Sequence, residues 1–126
     1  MSENQLSIGV RSAGPRVRIL DLVGELSGTT GEILRSTYAQ TAGEGVDRVI
    51  LNFSRLAYMN SLGIGMLVSL LVRARRDRVR LAAFGLSDHY RELFALTRLD
   101  QVIPVASSEE IAVRSADPDD LPEREY

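Results

Sequence analysis

Arg48-Val49-Ile50-Leu51-Asn52-Phe53-Ser54-Arg55-Leu56-Ala57-Tyr58-Met59-Asn60-Ser61-Leu62-Gly63-Ile64-Gly65-Met66-Leu67 is the stretch that decides how this chain is read. Arg48 to Phe53 is a short, nearly continuous apolar run, as a buried strand requires. Ser54 to Asn60 reads as a loop. A strongly apolar helix then starts near Ser61 and runs to about Arg76. This places a hydroxyl at a helix N-terminus, beside unpaired backbone N–H groups and the positive end of the helix dipole. Gly63 and Gly65 sit in the first turn. Glycine inside a helix costs about 1 kcal/mol relative to alanine, so the pair points to close approach by another body.

Working outward, Gln5 to Arg11 alternates weakly, with Leu6, Ile8 and Val10 on one face. Gly14-Pro15 marks a turn. Val17 to Val23 reads as a second strand with apolar residues on both faces, hence central. Gly24 to Gly31 reads as a loop of small residues. Thr29 and Glu32 have capping-box spacing ahead of a helix reaching about Ala42. Beyond the Ser61 helix, Val79 to Phe84 is a strand, and Gly85-Leu86-Ser87 opens a helix carrying Tyr90, Leu93, Phe94 and Thr97. Val102 to Val105 is a short strand whose Pro104 suggests an edge. Ser107 and Glu110 form a second capping box before a terminal helix. The order β-β-α-β-α-β-α-β-α predicts an α/β domain: a mixed sheet of about five strands, an antiparallel hairpin first and parallel pairs after, with helices against it. Residues 5–114 form the expected domain, with a short tail at 1–4 and an acidic, disordered tail at 115–126.

The chain has 126 residues, of which 44% are hydrophobic, enough for one domain with a real core. Cysteine is absent and His89 is the sole histidine, which removes disulfides, thiolate metal sites and histidine-rich metal sites. The N-terminus lacks an apolar signal core, and the longest apolar run, Ile64 to Val72, is too short to span a bilayer. A cytoplasmic protein without membrane insertion is expected. Net charge is −2, so no global basic field attracts nucleic acid.

Several constellations carry two readings each. Ile64, Leu67, Val68 and Leu71 share helical spacing and form the expected core face, while Leu62, Met66 and Leu70 lie on another stripe. Either the helix is buried nearly all round, or Leu62 and Met66 belong to an exposed docking patch. Ser61 is either an ordinary cap, a role Asn60 can also fill, or a phosphoacceptor. A phosphate there suits the helix dipole, yet an apolar partner surface would leave it desolvated and unpaired. Ser61 does not lie in a Gly-x-Ser-x-Gly elbow, and Gly63-Ile64-Gly65 lacks the rest of a dinucleotide fingerprint. His89 reads as a surface residue. The basic run Arg73-Ala74-Arg75-Arg76-Asp77-Arg78-Val79-Arg80 suits either a nucleic acid or acidic partner, or the C-terminal end of the helix dipole; no aromatic platform accompanies it, which favours the dipole.

The combination resembles the bacterial anti-sigma factor antagonists of the STAS superfamily. The resemblance is carried by Gly24-Glu25-Leu26, by Val49-Ile50-Leu51-Asn52-Phe53-Ser54 and, most specifically, by Met59-Asn60-Ser61-Leu62-Gly63-Ile64-Gly65-Met66-Leu67. Leu81-Ala82-Ala83-Phe84-Gly85, Leu96-Thr97-Arg98-Leu99-Asp100, Ile103-Pro104-Val105 and Ser108-Glu109-Glu110 follow in the same order, so the likeness runs from about Leu6 to Ala112.

What the resemblance implies is a small α/β domain that is not an enzyme and needs no cofactor or metal. It implies a partner, an anti-sigma factor serine kinase of the histidine-kinase-like ATPase fold, whose capture frees a sigma factor for transcription. It implies phosphorylation at Ser61 with release of the complex, and restoration by a PP2C-type phosphatase. The implied contact surface is Glu25, Leu26 and Ser27 with Met59, Asn60, Ser61, Leu62, Gly63 and Met66; a homodimer is also allowed for. Many relatives carry aspartate where this chain has Asn52 and Asn60, and a hydroxyl residue where it has Leu62. Asn60 still caps a helix but removes a negative charge. Two other readings are kept: a non-switching STAS scaffold or accessory subunit of a stress-signalling or membrane transport complex, and a small-ligand or nucleotide-binding domain.

Overall fold

Alternating burial on two central strands sets the architecture. The computed structural model describes residues 5–43 and 45–115. On β2 (Val17–Leu26), Val17 and Ile19 face one side of the sheet, and Leu20 and Leu22 the other. On β3 (Arg48–Met59), Ile50 faces the first side, while Val49, Leu51 and Phe53 face the second. A strand with apolar residues on both faces must be covered on both. The sheet has five strands in the order β1-β2-β3-β4-β5, where β1 is Leu6–Ser12, β4 is Arg80–Phe84 and β5 is Val105–Ala106. β1 runs antiparallel to β2, and the remaining neighbours are parallel.

The deep face carries α1 (Gly31–Thr41), α2 (Ser61–Arg76) and α3 (Asp88–Leu96). Their buried residues Leu34, Tyr38, Leu67, Leu70, Ala74 and Phe94 join the strand residues in the main core. The shallow face carries α4 (Glu109–Ser115), whose Ala112 closes a small cluster of Val17, Ile19, Ile50, Ala82 and Phe84. Among the described residues, no helix is long and apolar enough to cross a membrane.

The mixed sheet, hairpin and element order follow the sequence reading; the boundaries depart from it in instructive places. β2 does not stop at Val23, and β3 does not stop at Phe53. The two pair with each other as far as Leu26↔Met59, with register shifts that accommodate extra β3 residues, while β3 leaves β4 after Asn52↔Phe84. Mutual pairing holds extended a stretch that composition marks as loop. The expected strand Val102–Val105 is preceded by a 3-10 turn at Leu99–Gln101, and only Val105–Ala106 pair, at the edge of the sheet. The Thr29–Glu32 capping box does not form, since Thr30 precedes α1 and uses its hydroxyl elsewhere. α4 is capped by Ser108, whose Oγ accepts from Ile111 N–H at 3.2 Å, rather than by Ser107. The tails expected at 1–4 and 115–126 lie outside the described residues, except for Ser115, which ends α4.

The helical face of α2 is also rotated from the expected one. Leu70 is fully buried and Val68 is exposed, so the inward stripe is Gly63, Leu67, Leu70 and Ala74, with Ile64 and Leu71 at its margins.

Candidate functional site

The paired ends of β2 and β3 deliver the chain to the start of α2. Asn60 N–H donates to the Leu26 carbonyl at 3.2 Å, a bond that continues the β2–β3 ladder into the helix entry. Asn60 has extended backbone and caps α2, its Oδ1 accepting from Gly63 N–H at 2.9 Å. Met59 N–H donates to the Tyr90 hydroxyl at 2.9 Å, so α3 fixes the same corner from the other side. Three elements thus determine where Ser61 stands.

Gly63 has an internal reason. A Cβ there would collide with the carbonyl oxygen of Leu26. The helix lies too close to the β2 backbone for any side chain, so the close approach expected from outside comes from the protein itself. Gly65 differs: it is exposed, and a Cβ would meet nothing within 4 Å. Nothing internal requires a glycine at that position.

The turn between β2 and α1 is knotted by hydroxyls. Thr30, nearly fully buried, accepts from Ser27 N–H at 2.9 Å and donates to the Glu25 carbonyl at 2.8 Å. Ser27 and Thr29 hydroxyls lie 3.0 Å apart, and Gly31 N–H donates to the Ser27 carbonyl at 3.0 Å. α2 packs over this turn. A Cβ on Gly28 would touch Leu62 Cδ1 at 3.0 Å, and one on Gly31 would overlap the Met66 side chain. Thr30, Gly28 and Gly31 are site residues that the sequence reading missed; the only signal was the density of small residues between Gly24 and Gly31.

The nine expected contact residues separate into two groups. Leu26 (0% exposed), Met59 (4%), Ser27 and Gly63 are buried, because β2 and β3 run on as paired strands beneath the helix. They are covered in this structure and position the corner. Ser61 and Leu62 are exposed, Leu62 by 66%; Glu25, Asn60 and Met66 are half-buried. Ser61 is the first helical residue, and its hydroxyl has no hydrogen bond among the described residues, since Asn60 does the capping. No acidic residue occupies the first turn of α2. The site is an unbonded hydroxyl at the positive end of a helix, flanked by an exposed leucine.

His89 is exposed with its ring tilted against Tyr90, and no hydrogen bond joins it to Ser61. Among the described residues there is no group of three acidic or histidine side chains able to hold a metal. On the shallow face, Arg11 clamps Asp21 through Nε at 2.6 Å and Nη2 at 2.8 Å, and also reaches Glu109 at 2.9 Å. Asn52 donates to the same Asp21 carboxylate at 2.8 Å. The Arg11 hydrogen bond holds Asp21 below the usual carboxylate range, against the opposing cost of partial burial. Asn52 therefore serves this network as a neutral donor.

The STAS domain family model matches residues 12–112. The chain is 30% identical over 91 residues, 72% of its length and 78% of the relative's, to BtrV of Bordetella bronchiseptica, named as an anti-sigma factor antagonist. It is 27% identical over 88 residues to an anti-sigma-B factor antagonist of Staphylococcus aureus, covering 70% of this chain and 82% of that one. A crystal structure of an anti-sigma factor antagonist from Mycobacterium paratuberculosis shares the fold with a TM-score of 0.77 at 15% identity, covering 91% and 97% of the two chains. Unphosphorylated SpoIIAA shares it with a TM-score of 0.65 at 22% identity, covering 89% and 99%.

Proposed function

The chain belongs to the STAS domain family of anti-sigma factor antagonists, and from that premise we propose that it captures an anti-sigma factor serine kinase and is released by phosphorylation of Ser61. The observation that carries this reading is the division of labour at the helix start. Asn60 caps the helix, which leaves the Ser61 hydroxyl exposed and unbonded beside the apolar Leu62. A capping serine would have its hydroxyl occupied by the backbone.

The switch follows from where a phosphate would sit. Phosphorylation adds roughly two negative charges. The free protein tolerates them, because the N–H groups of the first turn and the helix dipole face the anion. A partner packed on Leu62 and Met66 does not, since closing the interface removes water from the phosphate without supplying a counter-charge. Asn60 assists by keeping the cap neutral, so no carboxylate repels the incoming phosphate. A PP2C-type phosphatase would reset the site. In this reading the protein is a cytoplasmic binding module rather than an enzyme, and capture of the kinase frees a sigma factor.

The test is titration calorimetry with the kinase that a pull-down from host lysate identifies. Ser61→Ala is expected to bind as wild type does. Ser61→Asp is expected to lose roughly 2–3 kcal/mol, on the order of a hundredfold in affinity. Equal binding by both variants would remove the switch. Retention of some other assembly by both baits would make the protein a non-switching scaffold and Ser61 an ordinary helix residue.

A further inference from the structure

Between α1 and α2 runs a groove of about 320 Å³, lined by Arg35, Tyr38, Ser69, Leu70, Arg73 and Arg76. Its floor is committed. Tyr38 is buried, donates its hydroxyl to Asp77 at 2.9 Å, and lies under the Arg73 guanidinium, 5.9 Å from the ring centroid. Arg73 pairs with Asp77 at 3.3 Å and Arg35 with Glu32 at 2.9 Å. Arg76 has no ion pair among the described residues. From residue 73 to 80 the chain carries Arg73, Arg75, Arg76, Arg78 and Arg80 against Asp77 alone, within a protein of net charge −2. The dipole of α2 accounts for arginines in its own last turn. It gives no reason for Arg35, on a different helix, to line the same groove.

The groove continues toward Ser61. Arg73, Ser69, Met66 and Leu62 follow one another at spacings of four, three and four, so they share the α1 side of α2. Met66 lies against Gly31 and Leu62 against Gly28. The result is one strip, apolar beside Ser61 and basic at the far end.

We infer that the strip receives a single acidic, amphipathic polypeptide segment of the partner, its apolar side chains on Leu62 and Met66 and its carboxylates on Arg35 and Arg76. This rests on the reading of the Ser61 end as the partner surface, and adds the chemistry of what docks there. Charge complementarity selects the acidic end. Continuity with the exposed leucine selects a polypeptide over a nucleic acid: the one aromatic ring in the groove is covered, so no base can stack, and a phosphate backbone gains nothing from Leu62.

Two measurements test it. The first is an amide-resolved NMR titration with a twelve-residue peptide carrying leucines in one half and glutamates in the other, against a twelve-nucleotide oligothymidylate. The peptide is expected to shift Leu62, Met66, Ser69, Arg73 and Arg76, and the shifts are expected to vanish in an Arg35→Gln/Arg76→Gln variant. Absence of shifts at millimolar peptide, shifts elsewhere, or equal binding of the oligonucleotide overturns the inference. The second is kinase affinity of the same double variant at low and high salt. A loss of about five- to tenfold at low salt, shrinking at high salt, is expected. Wild-type affinity in a protein that still loses the kinase on Ser61→Asp defeats the acidic-segment inference alone. Peptide binding that survives while neither Ser61 variant affects the kinase defeats the switch alone.

Discussion

The two faces of the sheet are held by different means. The deep face packs three helices on a continuous apolar core, and α2 is seated on it through a backbone contact, Gly63 on the Leu26 carbonyl. The shallow face packs one seven-residue helix on a small cluster and fastens it with Arg11, which bridges Asp21 and Glu109. Close packing has no tolerance for an added atom, and this is what fixes the position of the Ser61 corner. Surface ion pairs are forgiving and weak. The proposed partner surface lies on the face where geometry is least negotiable.

That contrast predicts a graded series. Leu67→Ala, at the centre of the deep core, is expected to cost about 3 kcal/mol, read as a lower urea midpoint. Gly63→Ala is expected to cost roughly 2 kcal/mol, because the helix must back away from β2. It should also weaken partner binding, since the same shift displaces Ser61. Gly65→Ala, two residues on, should have the opposite sign: a gain of up to about 1 kcal/mol, because the added methyl meets nothing and favours the helix. If Gly65 is kept bare for a partner, that variant is more stable and binds the kinase less well; unchanged binding would leave Gly65 without a role. Asn60→Ala is expected to cost about 1 kcal/mol through loss of the cap.

The shallow face should give the smallest effect and a distinct pH dependence. Arg11→Ala is expected to cost less than about 1 kcal/mol at neutral pH, since the side chain is substantially solvated. Asp21 has a folded pKa below its unfolded value. Its contribution is therefore present above the ordinary carboxylate pKa of about 4 and is lost as pH falls through the folded value. The stability gap between wild type and Arg11→Ala should close in that acid window. A gap that persists there would mean Arg11 acts by packing rather than by charge.

The sequence shows the sheet well because its evidence is local. Alternation along Val17–Leu22 and the run Val49–Phe53 depend only on which side each residue faces. The extensions of β2 and β3 were not legible, because they depend on pairing with each other, about thirty residues away, and for Gly24 and Glu25 also with the start of β1. Thr30 was missed for a related reason: its hydroxyl serves the turn behind it rather than the helix ahead. The rotation that buries Leu70 and exposes Val68 is set by the seating of α2 on Gly28 and Gly31, which hydrophobicity cannot reveal. The corner at Ser61 was legible as a helix start. The two glycines have different causes that sequence does not separate: Gly63 answers to the Leu26 carbonyl, and Gly65 to nothing within the protein.

The clasp between Arg11 and Glu109 joins residues 98 positions apart, and this gives the molecule an order of assembly. A chain emerging from the ribosome presents β1 through α3 first, so the Ser61 corner has its parts before α4 exists, while the deep core still waits for Leu99 and Ile103 just ahead of that helix. Until Glu109–Ser115 arrives, Val17, Ile19, Ile50, Ala82 and Phe84 lack their cover, and Arg11 lacks one of its two carboxylates. The last helix made is thus the one that dries the second side of the sheet, and a released chain ending before residue 109 would keep the Ser61 corner on a sheet whose back is still wet.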